Sequence, residues 1–181
     1  TNSPVVSGTT RYVCNGGTVA GNAATTVNAT HIALTLTNDA TLTWKWDTQH
    51  AFSRASSGHG TVAGDASGWY AQGSTVTVTA VPDAHYHFAG WTGDVQGDTN
   101  ALAMTVTLDQ ARAITANFAI DRHTLTVVSP HDTPTPAVGA HTYDWGTALN
   151  PSVTSPFTVG ATQYVCRGWT MTGHQPASGV T

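Results

Sequence analysis

Nine histidines, two cysteines, ten aspartates and six tryptophans are the side chains of this 181-residue chain that could carry chemistry. Spacing decides what they can do. His85 and His87 stand two apart, so on a strand they share one face, opposite Phe88. Two imidazoles make a weak surface clamp, whereas a zinc site takes three or four ligands. His31, His50, His59, His123, His131, His141 and His174 show no ligand spacing, and the histidines read as solvated surface. Asp94 and Asp98 lie in Gly93-Asp94-Val95-Gln96-Gly97-Asp98, an oxygen-rich loop of the kind calcium uses. The same composition also makes an ordinary turn. No Gly-x-Ser-x-Gly, His-Glu-x-x-His or Walker loop occurs. With Lys45 as the one lysine and no glutamate, a lysine–asparagine crosslink is not expected. The chain therefore reads as non-enzymatic, without metal or cofactor.

Composition narrows the partners. Only 9% of residues are charged, against about 25% in an average soluble domain. The net charge is −4. Arg11, Lys45, Arg54, Arg112, Arg122 and Arg167 are scattered, which argues against nucleic acid, because phosphate binding needs clustered cations. No apolar run approaches the ~18 residues of a membrane span. Thr, Val, Ala and Gly dominate while good helix formers are scarce, so the chain is expected to be all-β with little helix, at most one short turn. Six tryptophans and a low net charge point to an ordered protein.

The elements that would position these residues repeat. Arg11-Tyr12-Val13-Cys14-Asn15-Gly16-Gly17-Thr18, His85-Tyr86-His87-Phe88-Ala89-Gly90-Trp91-Thr92 and Gln163-Tyr164-Val165-Cys166-Arg167-Gly168-Trp169-Thr170 share one pattern. Their glycines at 16, 90 and 168 recur at steps of 74 and 78 residues. Ala33–Asp39 matches Ala103–Asp109, and Leu42-Thr43-Trp44-Lys45-Trp46 matches Ile114-Thr115-Ala116-Asn117-Phe118. Tyr70–Val76 matches Tyr143–Leu149. One unit spans about 75 residues, the scale at which repeat modules are recognised. Residues 50–121 read as a complete central repeat. Residues 1–49 read as the C-terminal part of a first repeat and 122–181 as the N-terminal part of a third. Such partial repeats fit a window cut from a longer array, or protomers that complete one another in a filament.

Within the central repeat, Thr75–Val81 alternates as a half-buried strand does. Val76, Val78 and Ala80 form one face. Pro82-Asp83 marks a turn, His85–Phe88 resumes a strand, and Gly90 ends or bends it. Leu102–Leu108 and Ala113–Phe118 alternate again.

This central segment resembles the InlB B-repeat family and its divergent relatives. The resemblance rests on Gly60-Thr61-Val62, Tyr70-Ala71-Gln72-Gly73-Ser74-Thr75-Val76, Ala80-Val81-Pro82, Phe88-Ala89-Gly90-Trp91-Thr92-Gly93-Asp94, Met104-Thr105-Val106 and Ala116-Asn117-Phe118. The flanks depart from it: Gly17 replaces the tryptophan, and cysteines replace Phe88. The resemblance implies small β-grasp-like or β-sandwich-like modules on a secreted or surface-anchored bacterial protein, used as stalks, spacers or adhesive units. It carries over no catalytic residue.

The structural core is expected to hold Tyr12, Cys14, Tyr86, Phe88, Gly90, Trp91, Tyr164, Cys166, Gly168 and Trp169. The cysteines read as buried thiols, and the Gly-Trp pairs as core plugs. The function expected is an extracellular structural segment of a surface stalk, fibre or filament. Its partners are neighbouring repeats or identical chains. The competing reading is a glycan- or host-binding adhesin module with an aromatic patch of Trp69, Trp91 and Trp145.

Overall fold

The computed structural model describes residues 3–131, 133–173 and 178–179. Their regular structure is all strand, with no helix among the described residues. The one short helical turn allowed by the sequence is thus absent there. The chain divides into two compact units, Thr1–Ala119 and Ile120–Thr181.

The first unit contains β1 (Val5–Ser7), β2 (Thr10–Ala20), β3 (Ala24–Asn28), β4 (His31–Leu34), β5 (Thr41–Ser56), β6 (Gly60–Gly64), β7 (Gly68–Ala71), β8 (Thr75–Pro82), β9 (Tyr86–Gly93), β10 (Ala103–Thr107) and β11 (Arg112–Ile120). A six-stranded sheet runs β1-β2-β5-β11-β9, with β7 also on β5. A second sheet runs β10-β8-β6, and β3 pairs with β4 as a separate hairpin.

β5 organises the larger sheet. It is 16 residues long, roughly 50 Å at ~3.3 Å per residue, and continues unbroken through Gln49 and His50. His50 lies between Thr10 and Tyr70, and Phe52 between Gly68 and Arg112. β2 and β11 therefore occupy the same edge of β5, one after the other, and β7 takes the opposite edge. β2 is antiparallel to β5, and β11 is parallel to it.

The two sheets of the central repeat face each other. Val76, Val78 and Ala80 of β8 and Met104 and Val106 of β10 pack in one cluster with Phe52, Trp91, Leu108, Ile114 and Ala116. Fully burying one such aliphatic side chain contributes about 1.5–3 kcal/mol. The strand period of two puts Thr75 and Thr77 on the outer face, where Thr77 and Thr105 hydroxyls meet at 3.1 Å. This is the sandwich-like packing of two facing sheets.

The second unit contains β12 (Arg122–Val127), β13 (Gly139–Asp144), β14 (Phe157–Val159), β15 (Thr162–Tyr164), β16 (Trp169–Thr170) and β17 (Ser178–Gly179). Among the described residues they pair as three hairpins: β12 with β13, β14 with β15, and β16 with β17. An isolated bridge joins Thr135 to Ser152.

Candidate functional site

The Gly-Trp pair of the central repeat is a structural device. Gly90 adopts φ +129°, open to glycine and strained for other residues, and this turns Trp91 inward. The indole is 3% exposed and its Nε1 donates to the Ala101 carbonyl at 2.9 Å. Phe88 stands 5.4 Å from Trp91 and 6.1 Å from Phe118 by ring centroids. Asn117 Nδ2 donates to the Gly90 carbonyl at 3.1 Å and to Thr92 Oγ1 at 3.0 Å, tying the last strand to the bend. Gly60 is required for a different reason. A Cβ there would lie 2.7 Å from the Phe118 ring.

Three of the carboxylates serve the backbone. Asp94 Oδ2 accepts from Ala113 N at 2.9 Å, Asp65 Oδ2 from Thr77 N at 2.7 Å, and Asp98 Oδ1 from Asn100 N at 2.9 Å. The Asp94–Asp98 loop is thus held by amides. Among the described residues, no three His, Cys, Asp or Glu side chains are placed to share a metal ion. The histidines are dispersed. His59 stacks on Tyr86 at 4.1 Å, His131 on Tyr164 at 3.8 Å, and His31 meets Asn28 and Thr30. His85 and His87 are exposed, and His174 lies outside the described residues. His50 is the exception: it is buried within β5, and neither ring nitrogen has a hydrogen-bond partner.

Both cysteines are thiols, and each sits in the same small construction. β1 and β2 pair with Val5 opposite Tyr12, and β14 and β15 with Phe157 opposite Tyr164. Cys14 N donates to Ser3 Oγ at 2.9 Å, and Cys166 N to Ser155 Oγ at 3.0 Å. Each thiol also points at the carbonyl two residues on, Gly16 or Gly168. The serines were not among the residues singled out from sequence. Their signal is a Ser-Pro pair eleven residues before each cysteine.

The expected core residues divide. Cys14, Gly90 and Trp91 are buried, while Tyr86, Phe88, Tyr164, Cys166 and Gly168 are half-buried. Tyr12 at 40% and Trp169 at 45% are exposed, which corrects their assignment to the core. Their strands carry the same motif as β9, but among the described residues no second sheet covers them.

Five of the six cations lie within strands, with Arg167 in the connection after β15. Arg11 Nε donates to Gln49 Oε1 at 2.8 Å, and its guanidinium lies 5.0 Å from the Trp69 ring centre. Arg54 reaches the Gly64 carbonyl, and Arg122 pairs with Asp144 at 3.0 Å. The hydrogen bond from Arg112 holds the Asp109 carboxyl below its ordinary pKa. Nothing in this distribution makes a cationic patch.

What the fold leaves open is a strand edge and several exposed apolar side chains. Along Thr41–Asp47 the edge of β5 opposite β2 carries no strand among the described residues. Leu34, Leu36 and Leu42 are 39%, 69% and 42% exposed in the first unit. In the second unit Leu149 and Val153 are 40% and 39% exposed.

Residues 51–122 match the family model of the divergent InlB B-repeat domain. The matched segment is the sandwich with Trp91 at its centre. No curated protein and no solved structure matches the chain. The divergent InlB B-repeat match points to a repeat module of a bacterial surface protein, a family that is typically non-catalytic. No helix among the described residues is long and apolar enough to cross a membrane.

Proposed function

We propose that the chain is a non-enzymatic structural segment of an extracellular bacterial surface protein, a length of stalk or fibre built from B-repeats. The observation that carries this reading is β5. One strand closes the sheet of residues 1–49 through β2 and opens the sheet of residues 50–121 through β11. Consecutive repeats that share a strand cannot pivot freely, because bending at the junction would break ladder hydrogen bonds on both sides. A stalk needs such a joint, whereas an enzyme needs a cleft with convergent titratable groups. The glycan-binding alternative loses support from the same side chains that would make its platform. Trp91 is 3% exposed, and Arg11 lies over Trp69.

Pulling the chain from its two ends in an optical trap tests the reading. Residues 1–119 should unfold in a single step, because β5 belongs to both repeats. Two separate steps, one for residues 1–49 and one for the central repeat, would mean that the shared strand does not join them.

A further inference from the structure

We infer that Asn28 is a glycosylation site, whose side-chain amide accepts a sugar from a glycosyl diphosphate donor. The inference goes beyond the stalk reading and stands on different residues.

The acceptor pattern is local. Asn28-Ala29-Thr30 is an Asn-x-Thr triplet with no proline in the middle. Asn150-Pro151-Ser152 has the outer residues but the excluded proline between them, and no other asparagine has a serine or threonine two residues on.

The fold presents this triplet. In the β3–β4 hairpin Asn28 stands opposite His31, so Ala29 and Thr30 form a two-residue tip. Residues 23–29 are exposed. Cys14 Sγ donates to the Ala29 carbonyl at 3.1 Å, which fixes the tip against β2. Asn28 Oδ1 accepts from Thr30 N at 2.9 Å and from Thr30 Oγ1 at 3.0 Å, and His31 Nδ1 lies 3.1 Å away. Among the described residues nothing hydrogen-bonds Asn28 Nδ2.

That arrangement suits the chemistry. An amide nitrogen is a weak nucleophile because its lone pair is shared with the carbonyl. Donors on the oxygen stabilise the charge it takes up as the nitrogen gives away a proton. Nδ2 then attacks the anomeric carbon of a nucleotide- or lipid-linked glycosyl diphosphate. A C–N bond forms as the C–O bond to the diphosphate breaks. The diphosphate leaves with the electron pair, and one amide proton passes to a base of the transferase.

The turn alone does not need these residues. The match of Ala33–Asp39 to Ala103–Asp109 extends back without a gap to Asn28 and Asp98. Asp98 Oδ1 accepts from Asn100 N at 2.9 Å, as Asn28 Oδ1 does from Thr30 N. A carboxylate with no hydroxyl partner thus makes the same turn, whereas Asn28 and Thr30 add the amide and the hydroxyl that sugar transfer uses. The same comparison bears on access. Asp98 and Asn100 are exposed on the complete central repeat, so a complete repeat keeps this position at its surface. A glycan there would also hydrate a surface on which only 9% of residues are charged.

Mass spectrometry of the protein purified from the bacterium that makes it tests this. Denatured and cut after lysine and arginine, it yields the peptide Tyr12–Lys45. That peptide should be heavier by one or more sugar residues, with fragmentation placing them on Asn28. A single sugar marks a nucleotide-linked donor and a uniform oligosaccharide a lipid-linked one. Asn28→Asp should lose the sugar and keep the turn, as Asp98 does, with circular dichroism unchanged. Thr30→Ala should lose the sugar too, and Thr30→Ser, which restores the hydroxyl, should regain it. An unmodified peptide, a sugar carried on a threonine, or full modification of Thr30→Ala would each overturn the inference. None of these would touch the stalk reading, which the unfolding of residues 1–119 decides separately.

Discussion

The central repeat and the second unit use similar residues and reach different states. In residues 50–121 two sheets enclose ten apolar side chains in one cluster. In the second unit, among the described residues, no apolar side chain is buried except Pro134. Leu149 and Val153 align in sequence with Val76 and Ala80 but lie in the connection between β13 and β14, and Tyr143 and Gly146 match Tyr70 and Gly73. The difference lies in which strands are present. An apolar strand face becomes a core only when a second sheet covers it, because stabilisation scales with apolar area removed from water. Residues 3–49 show the same contrast, with Leu34, Leu36 and Leu42 exposed where the matching Met104, Val106 and Ile114 are buried.

Five substitutions would break or sharpen this contrast. Trp91→Ala should have the largest effect, destabilising the first unit by about 3–5 kcal/mol, as for other buried aromatic truncations. Trp169→Ala, at the matching but exposed position, should shift the urea midpoint of the chain far less. If the two cost the same, Trp169 is a core plug after all. Next, Ile114→Ala should cost about 2–4 kcal/mol, whereas Leu42→Ala should cost less than about 1 kcal/mol in the dilute chain. Equal costs in urea melts would mean that Leu42 is already covered. A small effect of the opposite sign is expected at the junction. His50→Leu removes two buried ring nitrogens that have no partner, and should raise stability by about 1 kcal/mol. A lower thermal midpoint for this variant would mean that the imidazole is satisfied and holds β5 in place.

Much of the central repeat was legible in the sequence. The alternation from Thr75 to Val81 gives β8 with Val76, Val78 and Ala80 inward, because a strand's period of two leaves little freedom once one face is apolar. Gly90 and Trp91 were legible too, since a bending glycine beside a large aromatic needs an interior to turn toward. Tyr12 and Trp169 misled because a motif records which way a side chain points on its strand. It does not record whether a covering strand is present. The continuity of β5 was hidden by Asp47-Thr48-Gln49-His50, a polar stretch that reads as a boundary and is instead paired on both sides near His50. Ser3 and Ser155 were passed over because a single hydroxyl accepting one amide leaves no periodic trace. The aspartates of the Gly93–Asp98 loop have the composition of a cation site. Their use as amide acceptors depends on backbone placement that composition does not encode.

The placement of the cations has a consequence for survival outside a cell. A protease that cuts after lysine or arginine must draw several residues around the bond into its own cleft, so it attacks loops and spares paired strands. This chain offers such an enzyme six residues, and five of them lie in strands. Only Arg167 stands in a connection. A trypsin-like digestion should nick the folded chain there and stop, leaving residues 1–167 as a single resistant fragment.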